Sequence, residues 1–249
     1  MQQQIIGHRG ARDLWPENSL LGFRNALALG VDAIEFDVHP TADGGLAVIH
    51  DATLDRTAEA TGKVVDRTIA ELRGIGLKGA DEGVPSLAEV LDILAPSGLD
   101  LHVELKADAG DVPYPGLEER ALAELERHAI KGRLIMTSFS PAVLGRLRAL
   151  RPGLALLGSV NARSAERHGG LNVLLDLFAG LGVAHVAVEQ TLLAERLDYF
   201  TGRLAPHTIC VWTVNRPEDI ARWIGGPIGL MTTDRPDLAL AARMRQAQT

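Results

Sequence analysis

Short apolar or β-branched runs recur along this chain, separated by stretches whose apolar residues return with helical period. Eight runs read as strands: Gln4–His8, Ala33–Val38, Leu99–Lys106, Arg133–Ser138, Leu154–Val160, His185–Gln190, Thr208–Val214 and Gly229–Thr233. The spacing between them predicts helices over Ser19–Leu29, Leu87–Leu94, Gly116–His128, Pro141–Leu150, Leu171–Leu181, Thr191–Tyr199, Pro217–Ile224 and Pro236–Arg245. Ser19, Ser86, Ser140 and the Asn215-Arg216-Pro217 step supply the capping or first-turn residues that helix starts favour. Strand alternating with helix means parallel βαβ units, and eight of each in 249 residues predicts a (β/α)8 TIM barrel of the α/β class. A doubly wound open sheet is the alternative. Against it, Gly7-His8-Arg9-Gly10 lacks the glycine spacing of a dinucleotide fingerprint.

One segment breaks the rhythm. Thr41–His50 reads as a hairpin turning on Ala42-Asp43-Gly44-Gly45, followed by an irregular Thr-, Asp- and Gly-rich stretch with a short helix near Thr68–Leu72. So long a connection is usually functional. It follows the second strand, on the face where barrel enzymes keep their chemistry. We expect a single domain over residues 1–249, with an insertion at approximately 51–85 that covers the active site and has no core of its own.

Composition changes this picture little. With 46% hydrophobic and 23% charged residues the chain is an ordinary soluble one. A net charge of −7 without a basic patch argues, though weakly, against nucleic acid as a partner, and no nucleic acid is expected; a local Arg or Lys can still hold a small phosphate. No run approaches the ~18 apolar residues of a membrane span. Cys210 is the single cysteine and sits in the apolar run Thr208–Trp212, so a buried small hydrophobe is expected there rather than a nucleophile. The segment Met1–Ile6 has neither a basic region nor an apolar signal core, which makes a cytoplasmic location the expectation. A homo-oligomer stays open.

Candidate chemistry gathers at strand ends. His8 and His50 each close an apolar run beside a charged neighbour, Arg9 and Asp51, and two imidazoles can move protons in opposite directions. Residues two apart on a strand share a face, so Glu35 and Asp37 point together, as do His102, Glu104 and Lys106. Burying these acids is costly without compensation. Two accounts stand: Glu35, Asp37 and Glu104 hold a hard divalent cation, Mg2+ or Ca2+, or the acids form salt bridges with Arg9 and Lys106. Trp212 is either core or an apolar wall over a substrate. Pro16-Glu17-Asn18-Ser19 is explained as a helix entry. His128, His168 and His207 read as surface, His185 as structural, and the roles of His39 and His102 stay open.

In order along the chain stand His8-Arg9-Gly10, Pro16-Glu17-Asn18-Ser19, Glu35-Phe36-Asp37-Val38, Thr41 with Asp43-Gly44, His50-Asp51 and Leu54-Asp55-Arg56-Thr57. Pro85-Ser86-Leu87, Val103-Glu104-Leu105-Lys106, Ser138-Phe139, Trp212-Thr213-Val214-Asn215 and Thr233-Asp234-Arg235-Pro236 follow. This ordered set resembles the glycerophosphodiester phosphodiesterase family from residue 7 to 236. The resemblance implies a barrel with a small insertion and a divalent ion on Glu35, Asp37 and Glu104. It implies His8 and His50 as the acid–base pair and Arg9 and Lys106 on the phosphoryl oxygens. The implied reaction is metal-dependent hydrolysis of a small glycerophosphodiester to glycerol 3-phosphate and an alcohol. The chain departs from the family pattern at Ala58, where a threonine is frequent, and at His102, where asparagine is frequent. Two rivals remain: a lyase of the spider-venom phospholipase D kind that stops at a cyclic phosphate, and a binding module that has lost activity.

Overall fold

A computed structural model describes residues 2–248. Eight parallel strands close on themselves: β1 (Gln4–His8), β2 (Ala33–Pro40), β4 (Asp100–Leu105), β5 (Leu134–Ser138), β6 (Ala155–Val160), β7 (His185–Glu189), β8 (Ile209–Trp212) and β9 (Leu230–Thr233). β1 pairs with both β9 and β2, which completes the barrel. A ninth strand, β3 (Leu46–Val48), runs antiparallel to the end of β2, with Val38 opposite Val48. The (β/α)8 expectation holds.

Each strand serves two cores because its side chains alternate in direction. One set, including Ile5, Ile34, Val103, Met136, Leu156 and Val211, packs against the surrounding helices. The other set, Ile6, Ala33, Ile135, Leu157, Ala187, Cys210 and Leu230, fills the barrel interior. Two residues further along several of these strands the inward position turns polar: His8, Glu35, Thr137, Ser159 and Thr232 are all buried. The apolar plug therefore ends below the C-terminal mouth, and a polar layer lies on top of it.

The helices start where capping chemistry predicts. Ser19 accepts from the Gly22 amide ahead of α1 (Leu20–Leu29), and Ser86 with Glu89 forms a capping box at α3 (Leu87–Leu94). Phe23 of α1 meets Phe36 of β2 edge-on, with ring centroids 5.8 Å apart. Emptying such a site costs about 3–5 kcal/mol. The other principal helices are α4 (Leu117–Leu125), α5 (Pro141–Leu150), α7 (Leu171–Gly180), α10 (Pro217–Trp223) and α11 (Pro236–Gln246).

Two local expectations change, and the insertion gains a detail. The helix over Thr191–Tyr199 is two pieces, α8 (Gln190–Glu195) and α9 (Leu197–Arg203), broken at Arg196, whose φ of −125° leaves the helical region. A short helix α6 (Ala162–Arg167), capped by Asn161, was not foreseen, because six residues give too little periodicity. The segment after β3, which includes α2 (Ile69–Arg73), does carry a small apolar cluster: Leu54, Ala58, Val64, Leu72, Leu77 and Val84 pack with Ala47 and Ile49. The cluster is small and is shared with Ala47 and Ile49, which lie outside the insertion.

Candidate active site

His8, Arg9, Glu35, Asp37, His50, Glu104, Lys106 and Trp212 all line one cavity of about 270 Å³ at the barrel mouth. Their elements explain the convergence. Register sets His8 opposite Glu35 and Asp37 opposite Glu104. His50 arrives on the return arm of the expected Thr41–His50 hairpin, not at the end of one of the eight barrel strands. β3 runs back along β2, the Ile49 amide donates to the Asp37 carbonyl (3.1 Å), and the next residue reaches the mouth from the rim.

One ligand oxygen each from Glu35, Asp37 and Glu104 lies within 4.8 Å of the other two. Both accounts of these acids have a counterpart here. Lys106 Nζ donates to Glu104 Oε1 (2.6 Å) and stands 3.4 Å from Asp37 Oδ1. Arg9 Nε comes within 3.2 Å of Asp37 Oδ2, close enough for an ion pair but not angled as a hydrogen bond. Burial pushes the Glu35 carboxyl well above its usual range, reinforced by Asp37 and Glu104. Burial also acts against the Asp37 charge, but Lys106, Arg9 and the Asn18 amide outweigh it and hold that carboxyl well below its usual range. Three crowded acids, one of them reluctant to ionise, have too little positive charge beside them. An all-oxygen donor set of this kind suits Mg2+ or Ca2+.

Each histidine is fixed through its Nδ1. His8 Nδ1 lies 2.5 Å from Asp234 Oδ1, and His50 Nδ1 lies 2.6 Å from Asp51 Oδ1. A carboxylate accepts, so Nδ1 carries the proton and Nε2 is left with its lone pair. Burial lowers both imidazoles below their ordinary 6.5; Arg9 adds to this at His8, and Lys106 with Arg9 at His50, against the opposing carboxylates.

The residues behind these side chains were not assigned roles from sequence. Asp234 also accepts from Arg12 Nε (2.8 Å) and Asn215 Nδ2 (2.6 Å). Asn18 donates to Asp37 Oδ2 at 2.9 Å, while Ser19 alone caps the helix. Arg56 takes Glu17 with two donors, both at 2.7 Å, and Asp51 with its Nε at 2.6 Å. Arg56 thus ties the insertion to the first loop and to the partner of His50. His39 is buried, with its Nε2–H donating to the His50 carbonyl at 3.0 Å, so it holds backbone below the cavity. Burial takes its pKa down to about 4. His102 sits on the cavity floor, where burial takes its pKa to about 3 and its Nε2 has no partner among the described residues. Cys210 is buried, as expected, with its Sγ 3.4 Å from Thr232 Oγ1. Trp212 meets Phe139 edge-on and lines the cavity wall, so the core alternative is only half of its surroundings.

Barrel, acidic trio and two carboxylate-fixed imidazoles are compatible with a hydrolase of phosphoric esters. The profile of the Glycerophosphoryl diester phosphodiesterase family matches residues 8–238, and the chain belongs to that family. A glycerophosphodiester phosphodiesterase of Caldanaerobacter subterraneus is 31% identical over 253 aligned residues, covering 95% of this chain and 96% of that one. A Bacillus subtilis glycerophosphodiester phosphodiesterase is 29% identical, over 94% of this chain and 84% of that one. Among solved structures, one from Agrobacterium tumefaciens superposes with a TM-score of 0.90 at 26% identity and full coverage of both chains. An Oleispira antarctica phosphodiesterase, solved with its product sn-glycerol-3-phosphate, shares the fold at a TM-score of 0.82 and 24% identity, over 97% and 96% of the two chains. Among the described residues, no helix is long and apolar enough to cross a membrane.

Proposed function

We propose that this chain hydrolyses small glycerophosphodiesters to glycerol 3-phosphate and an alcohol, with His8 and His50 as the acid–base pair. The observation that carries it is the paired geometry: two imidazoles, each with Nδ1 on a carboxylate, border one cavity with the acidic trio. One Nε2 takes the proton of the attacking water as its oxygen bonds to phosphorus. The phosphorus–oxygen bond to the alcohol breaks, and the other histidine, which must enter the step as imidazolium with a proton on Nε2 as well as Nδ1, gives that Nε2 proton to the departing oxygen, so one ring gains the proton the other loses. Arg9, buried, and Lys106, half-buried, face the phosphoryl oxygens and stabilise their charge. Trp212 closes one wall against water.

Glu35, Asp37 and Glu104 are the residues that would hold a divalent cation, Mg2+ or Ca2+. Bound there, the ion supplies positive charge to the phosphoryl oxygens. Residues 1–249 are read as one domain with the insertion as its cover, and the single cysteine, which leaves no internal disulfide to form, supports a cytoplasmic location. A coupled assay for glycerol 3-phosphate over a panel of glycerophosphodiesters, after chelation and with each metal restored, tests the reading. Activity surviving full chelation would refute the ion site, and a persistent cyclic phosphate in phosphorus NMR would replace hydrolase by lyase.

A further inference from the structure

The inner cavity opens into a second one of about 490 Å³, and His50, Glu104, Lys106, Phe139 and Asn161 line both. The inner chamber is the smaller and ends on the barrel plug, so it suits the constant glycerol half of a diester. The larger outer chamber then receives the half that varies. Its far wall contains Asp108, Asp111, Arg163 and Arg167, none of which the hydrolysis uses.

The charges of that wall are already committed. Asp108 accepts from the Gly110 and Val112 amides at 2.8 and 2.9 Å. Asp111 accepts from Arg163 at 2.7 Å and also from Arg167. Two guanidiniums therefore share one carboxylate. Each has five N–H donors in a fixed fork, and a single carboxylate leaves several of them for a ligand. A quaternary ammonium is recognised by a cage of aromatic faces. Among the described residues Phe139 is the one aromatic side chain of the Phe, Tyr or Trp type lining this chamber, too little for such a cage; charge does not decide the matter, because Asp51, Glu104, Asp108 and Asp111 stand there beside Lys106, Arg163 and Arg167.

We propose that the outer chamber receives the departing alcohol, and that the Arg163–Asp111–Arg167 clamp selects an uncharged polyhydroxylated head group over a quaternary ammonium one. This rests on the hydrolase reading above and names its substrate class. The guanidinium donors, with Ser140 and Asn161 nearby, bond to head-group hydroxyls while the net charge of the four-residue wall stays balanced.

The test measures kcat/KM with glycerophosphoinositol, glycerophosphoglycerol and glycerophosphocholine, all read through released glycerol 3-phosphate. It compares the natural chain with the double variant R163A/R167A. The natural chain should favour the two polyol esters over the choline ester by about tenfold or more, and the double variant should lower that ratio by at least about fivefold. Because each ratio is taken on one preparation, partial loss of folded protein cancels. Equal or better use of the choline ester by the natural chain, or an unchanged ratio in the variant, overturns the clamp while leaving the hydrolase reading in place. Release from none of the three overturns both.

Discussion

Asp234 holds the Nδ1 side of His8 at 2.5 Å from the far end of the chain, 0% exposed and itself gripped by Arg12 and Asn215. The last barrel strand thereby sets the tautomer of a residue on the first. Burial acts against its charge, but His8, Arg12 and Asn215 together outweigh that and keep the Asp234 carboxyl below its usual range.

Asp234→Asn should therefore act on chemistry more than on binding. The amide can offer either its oxygen or its nitrogen to the imidazole, so the proton is no longer confined to Nδ1. We expect kcat to fall by about 10²–10⁴-fold, as for loss of a positioned acid or base. KM should change little, and the folded state should survive because the side chain keeps its volume. Steady-state kinetics beside a thermal melt would check this. An unaltered kcat in folded protein would remove Asp234 from the catalytic arrangement.

The insertion's link to the site is a different kind of relationship. Arg56 spans Glu17 and Asp51, and Asp51 orients His50. Its side chain is 45% exposed, so screening leaves the pair energies at the low end, about 0–1 kcal/mol each. Arg56→Ala should thus shift the melting temperature by only a few degrees yet reduce kcat/KM by roughly tenfold, by loosening the His50 partner. Arg56→Lys, which cannot make the forked contact, should recover only part of the loss. A stability loss with unchanged kinetics would show that the clamp serves the fold alone.

How much of this was legible beforehand depends on the range of the pattern. Strand periodicity named Glu35 with Asp37 and Glu104 with Lys106, because face-sharing is a local rule that the barrel keeps. It also placed His8, whose strand enters the barrel directly. The contacts of Asp234, Glu17, Arg56 and Asn18 were not legible as mechanism. Each depends on which strands end up side by side, and a lone carboxylate in a loop has no period to betray it. Asn18, at φ 54°, reads as a helix-entry residue until the structure shows its amide on Asp37. The clearest available signal was the Thr233-Asp234 step in the family resemblance, which marks a position without stating its partner. The antiparallel return that brings His50 to the mouth was legible in the Thr41–His50 hairpin, while its register, Val38 opposite Val48, is set by pairing that the local pattern does not state.

Gly10 is one place where backbone conformation and site meet. Its φ is +88°, and an added Cβ would come 3.1 Å from the Gly22 carbonyl carbon and 3.2 Å from the Phe23 ring. Gly10→Ala should cost about 2–3 kcal/mol in denaturant unfolding, combining the left-handed strain with the close approach. The loop it carries includes His8 and Arg9, so activity should fall beyond what the unfolded fraction explains. A cost below about 0.5 kcal/mol would show that the loop relaxes freely.

Burial raises the Cys210 thiol to about 12, against 9.0 for an ordinary thiol, with the Thr232 hydroxyl only partly offsetting it. For an acid whose folded pKa is raised, the neutral form belongs to the fold. Its contribution is present below pH 9 and is lost as the pH climbs from 9 toward 12, where only the unfolded thiol ionises. Two outcomes follow. At pH 8 iodoacetamide should modify native Cys210 at least ~10²-fold more slowly than the denatured chain, since the thiolate is scarce and the sulfur 1% exposed. Cys210→Ser keeps a hydroxyl near Thr232 and removes the titration between 9 and 12, so its stability should fall less steeply over pH 9–11 than that of the natural chain. Parallel denaturant curves at pH 7, 9 and 10.5 give the comparison, and rapid native alkylation at pH 8 would contradict a thiol sealed against the barrel plug.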